Sequence, residues 1–417
     1  MKLQSRDICD ADPTALTIGQ ALERIKSTLP RVRDSETIGC DEALGRISSC
    51  EVYSSMSVPS FRASAMDGYA VRVADCDGSL KVAGKSMAGH PGIDRLEKRT
   101  CQRIMTGARV PDDADAVIQQ ENVEPGEDSI TVRVRPVVGL NIREPGSDSR
   151  DGALLIGFGC RLGPAELALL AAHGIDRVSV YRRLTIAVFS TGDELRNAGS
   201  RLETGQIYDA NRPLLQAILD NNAISMIDLG ISKDSTIELR KRLDAAHDAD
   251  MIISSGGVSV GDADHVRQVL ERIGKVSVWK IAVKPGRPLT FGLSHSRQAY
   301  FGLPGNPVSA AITSLFFVKP AIRYMLGSDS PLFPPLQVRL VDTLNKHPGR
   351  IEYQRAILQC NQDAQWQVST TGLQDSHVLT SLHRANCLIE LDTNSTGANP
   401  GDIVRVYPFT HFSDPLI

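Results

Sequence analysis

Little in this 417-residue sequence is extreme, and what is scarce narrows the field. Aromatic side chains make up only 5%, too few for the stacking platforms on which single-stranded nucleic acids are held. Neither sign of charge dominates: 46 basic and 49 acidic residues leave a formal net charge of −3. That balance excludes a polycation for nucleic acid and an acidic solvating tail. Long apolar runs are missing too. The longest, residues 308–318, is about half the length of a membrane-spanning helix and is broken by Ser309, Thr313 and Ser314, so no membrane is expected as a partner. Residues 1–7 lead into polar sequence without the apolar core of a signal peptide. The eight cysteines form no CxxC pair and no His cluster accompanies them. Scattered thiols of a reducing, cytoplasmic setting are expected, and structural zinc is not.

Glycine and proline, in contrast, are plentiful at 34 and 22 residues. Apolar residues at 41% and charged residues at 23% give the composition of a folded globular protein. A single core stops growing at roughly 250–300 residues, so two to four domains are expected. Residues 17–29 space Ile18, Ala21, Leu22, Ile25 and Leu29 as a helix, with Pro30 as the stop. Residues 41–52 read as a second short helix running into a strand. Between 58 and 145, short β-type runs (69–73, 116–118, 130–134) are separated by Gly, Pro and Asp, which predicts a small β module. Residues 162–174 return to helix, with Pro164 near the start and Gly174 past the end. Helical sequence on both sides of a β block implies one domain interrupted by another.

From 184 to 327, strand-like runs (184–189, 224–229, 251–254) alternate with helix-like ones (213–221, 235–247, 262–273). This is the rhythm of a doubly wound parallel α/β sheet. Beyond Pro331, runs at 336–340, 352–358, 387–391 and 403–406 predict a β-barrel or sandwich.

Open α/β sheets bind ligands at the carboxyl ends of their strands, so the loops after those strands hold the candidate chemistry. After 251–254 comes Ser255-Gly256-Gly257-Val258-Ser259-Val260-Gly261-Asp262-Ala263-Asp264. Its glycines suit a phosphate cradle, and carboxylates beside a phosphate call for a bridging Mg²⁺. Asp262 has a competing role as the cap of the next helix, whereas Asp264 is not needed for capping. Ser190-Thr191-Gly192-Asp193-Glu194 offers hydroxyls and acids at another strand end, with Asp193 also a possible cap. Gly302-Leu303-Pro304-Gly305-Asn306-Pro307 predicts a helix start with Asn306 as N-cap. Asp234 is a further carboxylate at the same sheet edge. Lys280, Lys284 and Arg287, in a segment stiffened by Pro285, Gly286 and Pro288, suit a polyanion; a solvated basic loop is the alternative. These residues are expected to share one cleft for a phosphorylated small molecule, cations opposite acids. No GxSxG, HExxH or Walker lysine loop is present. The strings Ser64-Ala65-Met66-Asp67-Gly68-Tyr69-Ala70 and Arg103-Ile104-Met105-Thr106-Gly107-Ala108 read as turns, with or without a function.

These strings, together with NIREPGSDSRDG (141–152), GQIYDANR (205–212), KPGRPLTFG (284–292) and FGLPGNPVSA (301–310), resemble the molybdopterin molybdenumtransferase family of MoeA and the gephyrin E domain. The resemblance runs from about 14 to 410 with motifs in family order. It implies four domains: a mixed, discontinuous linker domain (13–53 and 148–181), an inserted β domain (54–147), a doubly wound α/β molybdopterin-binding domain (182–328) and a C-terminal β-barrel-like domain (329–417). It implies an enzyme that converts adenylylated molybdopterin and molybdate to molybdenum cofactor and AMP with Mg²⁺. It also implies a homodimer with active sites between subunits, and contacts with an upstream molybdopterin adenylyltransferase and downstream cofactor acceptors.

Carried over by motif, Asp234 and Asp264 are implied for Mg²⁺, and Glu194 for the pterin or dithiolene end. Lys280 and Lys284 are implied to hold the phosphates. Ser259, Lys284, Arg287, Pro288, Ser309 and Arg355 are implied to line a molybdate pocket, with Asp67, Thr106 and Asp148 acting from the insert or first domain. Ser147, Ser235 and His265 depart from the family pattern. A non-catalytic molybdopterin-binding or scaffold protein of the same fold is the alternative reading.

Overall fold

The computed structural model describes residues 14–256, 274–328 and 334–411. They form two compact units. One comprises the described residues up to Cys50, Phe158–Ala165 and those from Val178 onward; the other comprises Glu51–Gly157 and Glu166–Arg177.

The first unit opens with the expected helix, Ile18–Thr28. Thr17 and Gln20 close a reciprocal capping box at its start, the Gln20 N–H donating to Thr17 Oγ1 at 3.2 Å and the Thr17 N–H to Gln20 Oε1 at 3.0 Å. The helix expected over 41–52 is absent. A single 3-10 turn, Cys40–Glu42, stands in its place. Gly45 takes a left-handed φ of 78°, which breaks the helix, and Ile47 and Ser48 form bridges with Arg161 and Val180.

The centre of this unit is a six-stranded sheet in the order Ile224–Ser232, Leu184–Thr191, Met251–Ser255, Ala299–Leu303, Pro288–Ser294, Gly274–Lys280. The first four strands are parallel, and the last two complete it as antiparallel neighbours. Alternation along Leu184–Thr191 divides the core between the two faces. Ile186 and Val188 pack with Leu215 and Leu219 of the helix Asn211–Leu219. Ala187 and Phe189 pack with Leu239 and Leu243 of the helix Thr236–Ala245. The doubly wound expectation is therefore met, with a helix on each side. Of the expected helices, 262–273 lies outside the described residues.

The carboxyl-terminal strands close into a five-stranded barrel rather than a sandwich. The ring runs Ile351–Cys360, Trp366–Thr370, Leu336–Leu340, Ile403–Pro408, Cys387–Leu391 and back to Ile351–Cys360. Its core holds Val338, Val368, Ile389 and Val406. The short strand Val283–Lys284 pairs onto Ile351 and Glu352 at the barrel edge. Among the described residues, no helix is long and apolar enough to cross a membrane.

The second unit holds the predicted β module as a six-stranded mixed sheet ordered Ala116–Gln119, Gly68–Val71, Thr100–Ile104, Ser79–Ser86, Ser129–Val132, Val123–Pro125. Both of its faces are covered. Val71 and Ile118 enter one cluster, and their neighbours Ala70 and Val117 enter the other. Gly68 sits where its strand crosses a neighbour so closely that a Cβ would lie 1.8 Å from the Ile118 carbonyl oxygen.

Candidate functional site

The four parallel strands end at one edge of the sheet. From Leu184–Thr191 the chain moves outward to Ile224–Ser232, then returns to Met251–Ser255 on the other side. The order therefore reverses beside Ser190, Thr191, Ser255 and Gly256, the crevice where such sheets take ligands.

Ser190 and Thr191, expected on a loop, are the last residues of their strand and are buried. Each hydroxyl is spent on a carboxylate. Ser190 Oγ donates to Asp209 Oδ1 at 2.9 Å, and Thr191 Oγ1 donates to Asp234 Oδ1 at 2.5 Å. Asp209 is 5% exposed and also accepts from the Arg212 N–H and Nε at 3.2 and 3.0 Å. Asn211 Nδ2 reaches Ser255 Oγ at 2.7 Å and the Gly305 carbonyl at 2.6 Å. Gly256 has φ 91°, and a Cβ there would meet the Thr191 carbonyl oxygen at 2.4 Å, so only glycine lets these strand ends approach. Asp193 caps no helix; its Oδ1 accepts from the Asp234 N–H at 3.3 Å. Ser235 caps the helix Thr236–Ala245 by accepting from the Glu238 N–H at 3.2 Å.

These groups wall a cavity of about 730 Å³. Of the expected residues, Ser190, Thr191, Glu194, Asp234, Gly256, Pro288, Pro304, Gly305, Asn306 and Ser309 line it. Gly192 precedes Glu194 without lining the cavity, and a Cβ on it would crowd the Glu194 carboxylate at 2.5 Å. Asp209 and Asn211 also line it, and the sequence reading passed over both. Their signal is a polar run, Asp209-Ala210-Asn211-Arg212, at a helix start.

A second cavity of about 600 Å³ lies where the α/β sheet meets the barrel. Lys284 and Arg287 line it, with Arg350, Glu352 and Gln374. Lys284 Nζ stands 3.3 Å from Glu352 Oε2, and that carboxylate also accepts from Gln354 Nε2 at 3.0 Å. The single cleft expected to set cations against acids is thus two cavities, with Asp234 in one and Lys284 and Arg287 in the other. Ser309, on the helix Pro307–Thr313, belongs to both walls.

Three further residues are placed differently from expectation. Lys280 ends its strand opposite Pro288 and lines neither cavity. Asn306 occupies the N-cap position, but its side chain makes no capping bond; Nδ2 donates to Ser376 Oγ at 2.8 Å. Arg355 is 1% exposed and sits behind the wall of the second cavity. It donates to Ser381 Oγ and to the carbonyls of Leu373 and Asp375 at 2.9, 3.3 and 3.0 Å. Burial pulls its guanidinium down to about 10, against the pull of Glu352 and Asp375.

In the second unit, Asp67 and Thr106 come together. The Thr106 N–H and Oγ both donate to Asp67 Oδ1 at 2.8 Å. The backbone bond first, then the hydroxyl, hold the Asp67 carboxyl below its ordinary range. Asp148 is exposed on a loop whose next residue, Ser149, bonds His173 Nε2 at 2.6 Å. His173 Nδ1 faces the Leu169 carbonyl at 2.8 Å and must donate there, which leaves Nε2 of the neutral ring to accept from Ser149.

The expected Gly257, Ser259, Asp262 and Asp264 lie outside the described residues. Among the described residues, no group of three or more His, Cys, Asp or Glu side chains is set to hold a metal ion.

Three family models match in succession. The MoeA N-terminal region (domain I and II) covers residues 16–174, the probable molybdopterin binding domain 187–324, and the MoeA C-terminal region (domain IV) 337–409. The chain is 42% identical to a molybdopterin molybdenumtransferase from Haemophilus influenzae over 95% of its own length and 99% of that protein's. It is 34% identical to gephyrin from Dictyostelium discoideum over 89% of its own length and 59% of that longer chain. The crystal structure of a molybdopterin biosynthesis MoeA protein from Pyrococcus horikoshii superposes with a TM-score of 0.77 at 31% identity, covering 95% of this chain and 99% of that one. With two walled cavities at the strand ends and full-length likeness on both counts, the chain belongs to the molybdopterin molybdenumtransferase family, enzymes of molybdenum cofactor biosynthesis.

Proposed function

We propose that this enzyme transfers molybdate onto adenylylated molybdopterin, releasing AMP and molybdenum cofactor. The observation that carries the reading is the pair of adjoining cavities, one walled by fixed carboxylates and the other by cations. An adenylylated pterin has a pyrophosphate to be oriented, and molybdate is an oxyanion to be held. Lys284 and Arg287 supply a point charge and a fork for the oxyanion, with Ser309 between the two substrates.

Mg²⁺ fits this wall. It is bound through one or two carboxylates plus waters and substrate phosphates rather than by an all-protein cage, and Asp234 and Glu194 give hard oxygen donors in one cavity. Asp234 would hold the ion, with Asp264 as the second proposed ligand. When bound, it would neutralise charge on the pyrophosphate and make its phosphorus more open to attack. Thr191 keeps the Asp234 carboxylate from rotating, Glu194 faces the pterin or dithiolene end, and Lys280 adds positive charge at the strand edge. Asp67, Thr106 and Asp148 complete the proposed machinery; in a homodimer they would serve the partner subunit's site.

The test is to incubate the purified protein with adenylylated molybdopterin, Mg²⁺ and molybdate and to follow AMP. Molybdate-stimulated AMP release is expected, with Asp264→Ala losing most of it. A wild-type protein that binds the pterin without that stimulation overturns the reading and favours a scaffold. The shared site has its own test. Asp67→Ala and Asp234→Ala proteins, each inactive, should recover about a quarter of wild-type activity when mixed, because half the dimers then carry one intact site of two.

A further inference from the structure

We infer that a third cavity, walled by Arg31, Arg33, Arg182 and Arg297, binds a phosphate-type dianion, either the free ion or the head of a phosphate monoester. It lies at the opposite edge of the sheet from both cavities above. Arg182 comes just before the strand Leu184–Thr191, Asp250 just before Met251–Ser255 and Gln298 just before Ala299–Leu303. The proposed chemistry at the carboxyl ends of the strands does not use it.

The cavity measures about 270 Å³, below the roughly 300–1,000 Å³ of pockets for drug-sized ligands. Four guanidiniums and two carboxylates, Asp34 and Asp250, line it, a local excess of two positive charges in a chain that is net negative. Both carboxylates are already committed. Arg182 grips Asp250 with two bonds of 2.7 Å and reaches Asp34 at 3.1 Å. Asp250 also accepts from the Thr185 N–H at 2.8 Å. Arg31 lies over the Tyr324 ring, 4.7 Å from its centre. Arg33 and Arg297 make no side-chain hydrogen bond or ion pair among the described residues. Two guanidinium forks on a rigid floor are what phosphate oxygens need.

The placement of Arg297 supports this. It occupies the last position of a three-residue turn, with its N–H on the Ser294 carbonyl and the Ser294 N–H on the Gln298 carbonyl, both at 2.9 Å. Its φ is 64°, where such hairpins favour glycine. Gln298 Nε2 pins the turn to the carbonyls of Ala246, His247 and Ala249 at 2.7, 3.1 and 2.9 Å. The turn thus presents an arginine, at a fixed point, where its own geometry favours no side chain.

Hydrogen exchange read by mass spectrometry on the full chain tests this, comparing inorganic phosphate with chloride at matched ionic strength so that screening cancels. Exchange in segments 30–34 and 294–298 should slow by roughly threefold at a phosphate concentration of twice the dissociation constant. Arg33→Gln should raise the phosphate required by about tenfold. Arg297→Gly, which suits the turn and keeps the fold, should do the same. Glycerol phosphate acting at lower concentration than inorganic phosphate assigns the monoester; the reverse assigns the free ion. An unchanged exchange rate in both segments overturns the inference, as does an undiminished response in the folded Arg297→Gly protein.

Discussion

The two cavities at the strand ends are built by opposite means. In the first, much of the wall is tied together: Ser190 to Asp209, Thr191 to Asp234, Asn211 to Ser255 and Gly305. Ser190, Thr191 and Ser255 end their strands and Asn211 opens its helix, so these groups are anchored in regular structure. In the second, the groups come from two subdomains, and Lys284 keeps only one half-exposed ion pair, with Glu352. The first is organised before a ligand arrives, and catalysis draws most on charge fixed in advance. The second holds cations that a ligand can recruit away from Glu352. Under the proposed function, orientation would fall to the first cavity and capture to the second.

The deepest way to break this contrast is to remove the support behind the second cavity. Arg355→Ala takes the donor from the carbonyls of Leu373 and Asp375 and empties the volume of a buried side chain. A loss of about 3–5 kcal/mol is expected, read as a fall in the denaturant midpoint. Next comes Asp234→Asn, which keeps shape but removes charge. It should lower kcat by about 100-fold with little change in the molybdate KM, measured by AMP release. Lys284→Gln should do the reverse, raising the molybdate KM by about tenfold while kcat at saturation holds. Equal effects of these two substitutions on both parameters would erase the division of labour.

The smallest effect lies in the other unit. Two bonds from Thr106 depress the Asp67 carboxyl, so the stabilisation they give is present above the ordinary carboxylate pKa. It is lost as the pH falls through the lower, folded value. Thr106→Ala keeps the N–H and removes the hydroxyl, so the Asp67 pKa should rise part of the way to normal in a carboxyl-carbon NMR titration. A value that stays put would assign the whole depression to the backbone.

The strands were the most legible part of the sequence, because buried parallel strands such as Met251–Ser255 are continuous apolar runs with no competing pattern. The helix expected at the start of 41–52 fails at Gly45, whose left-handed turn no periodicity reveals. Within the site, Asp234 and Glu194 could be found because they follow strands. Asp209 offered only a polar run at a helix start, since its bond depends on Ser190 reaching it across the fold. Sequence also placed Lys284 and Asp234 at one edge without giving the distance along that edge, which is why one cleft became two. Arg355 was placed in the molybdate pocket by the family resemblance. Its actual bonds, to carbonyls on a neighbouring loop, depend on barrel closure that no local string encodes.

Among the described residues, Ser309 is the one hydroxyl that borders both cavities, and it lies on a buried helix. Under the proposed function, the site would work as a ruler as well as a receptacle. A ligand whose two charged groups were too close to straddle that hydroxyl would then occupy either chamber but not both, and length would become a criterion of selection alongside charge.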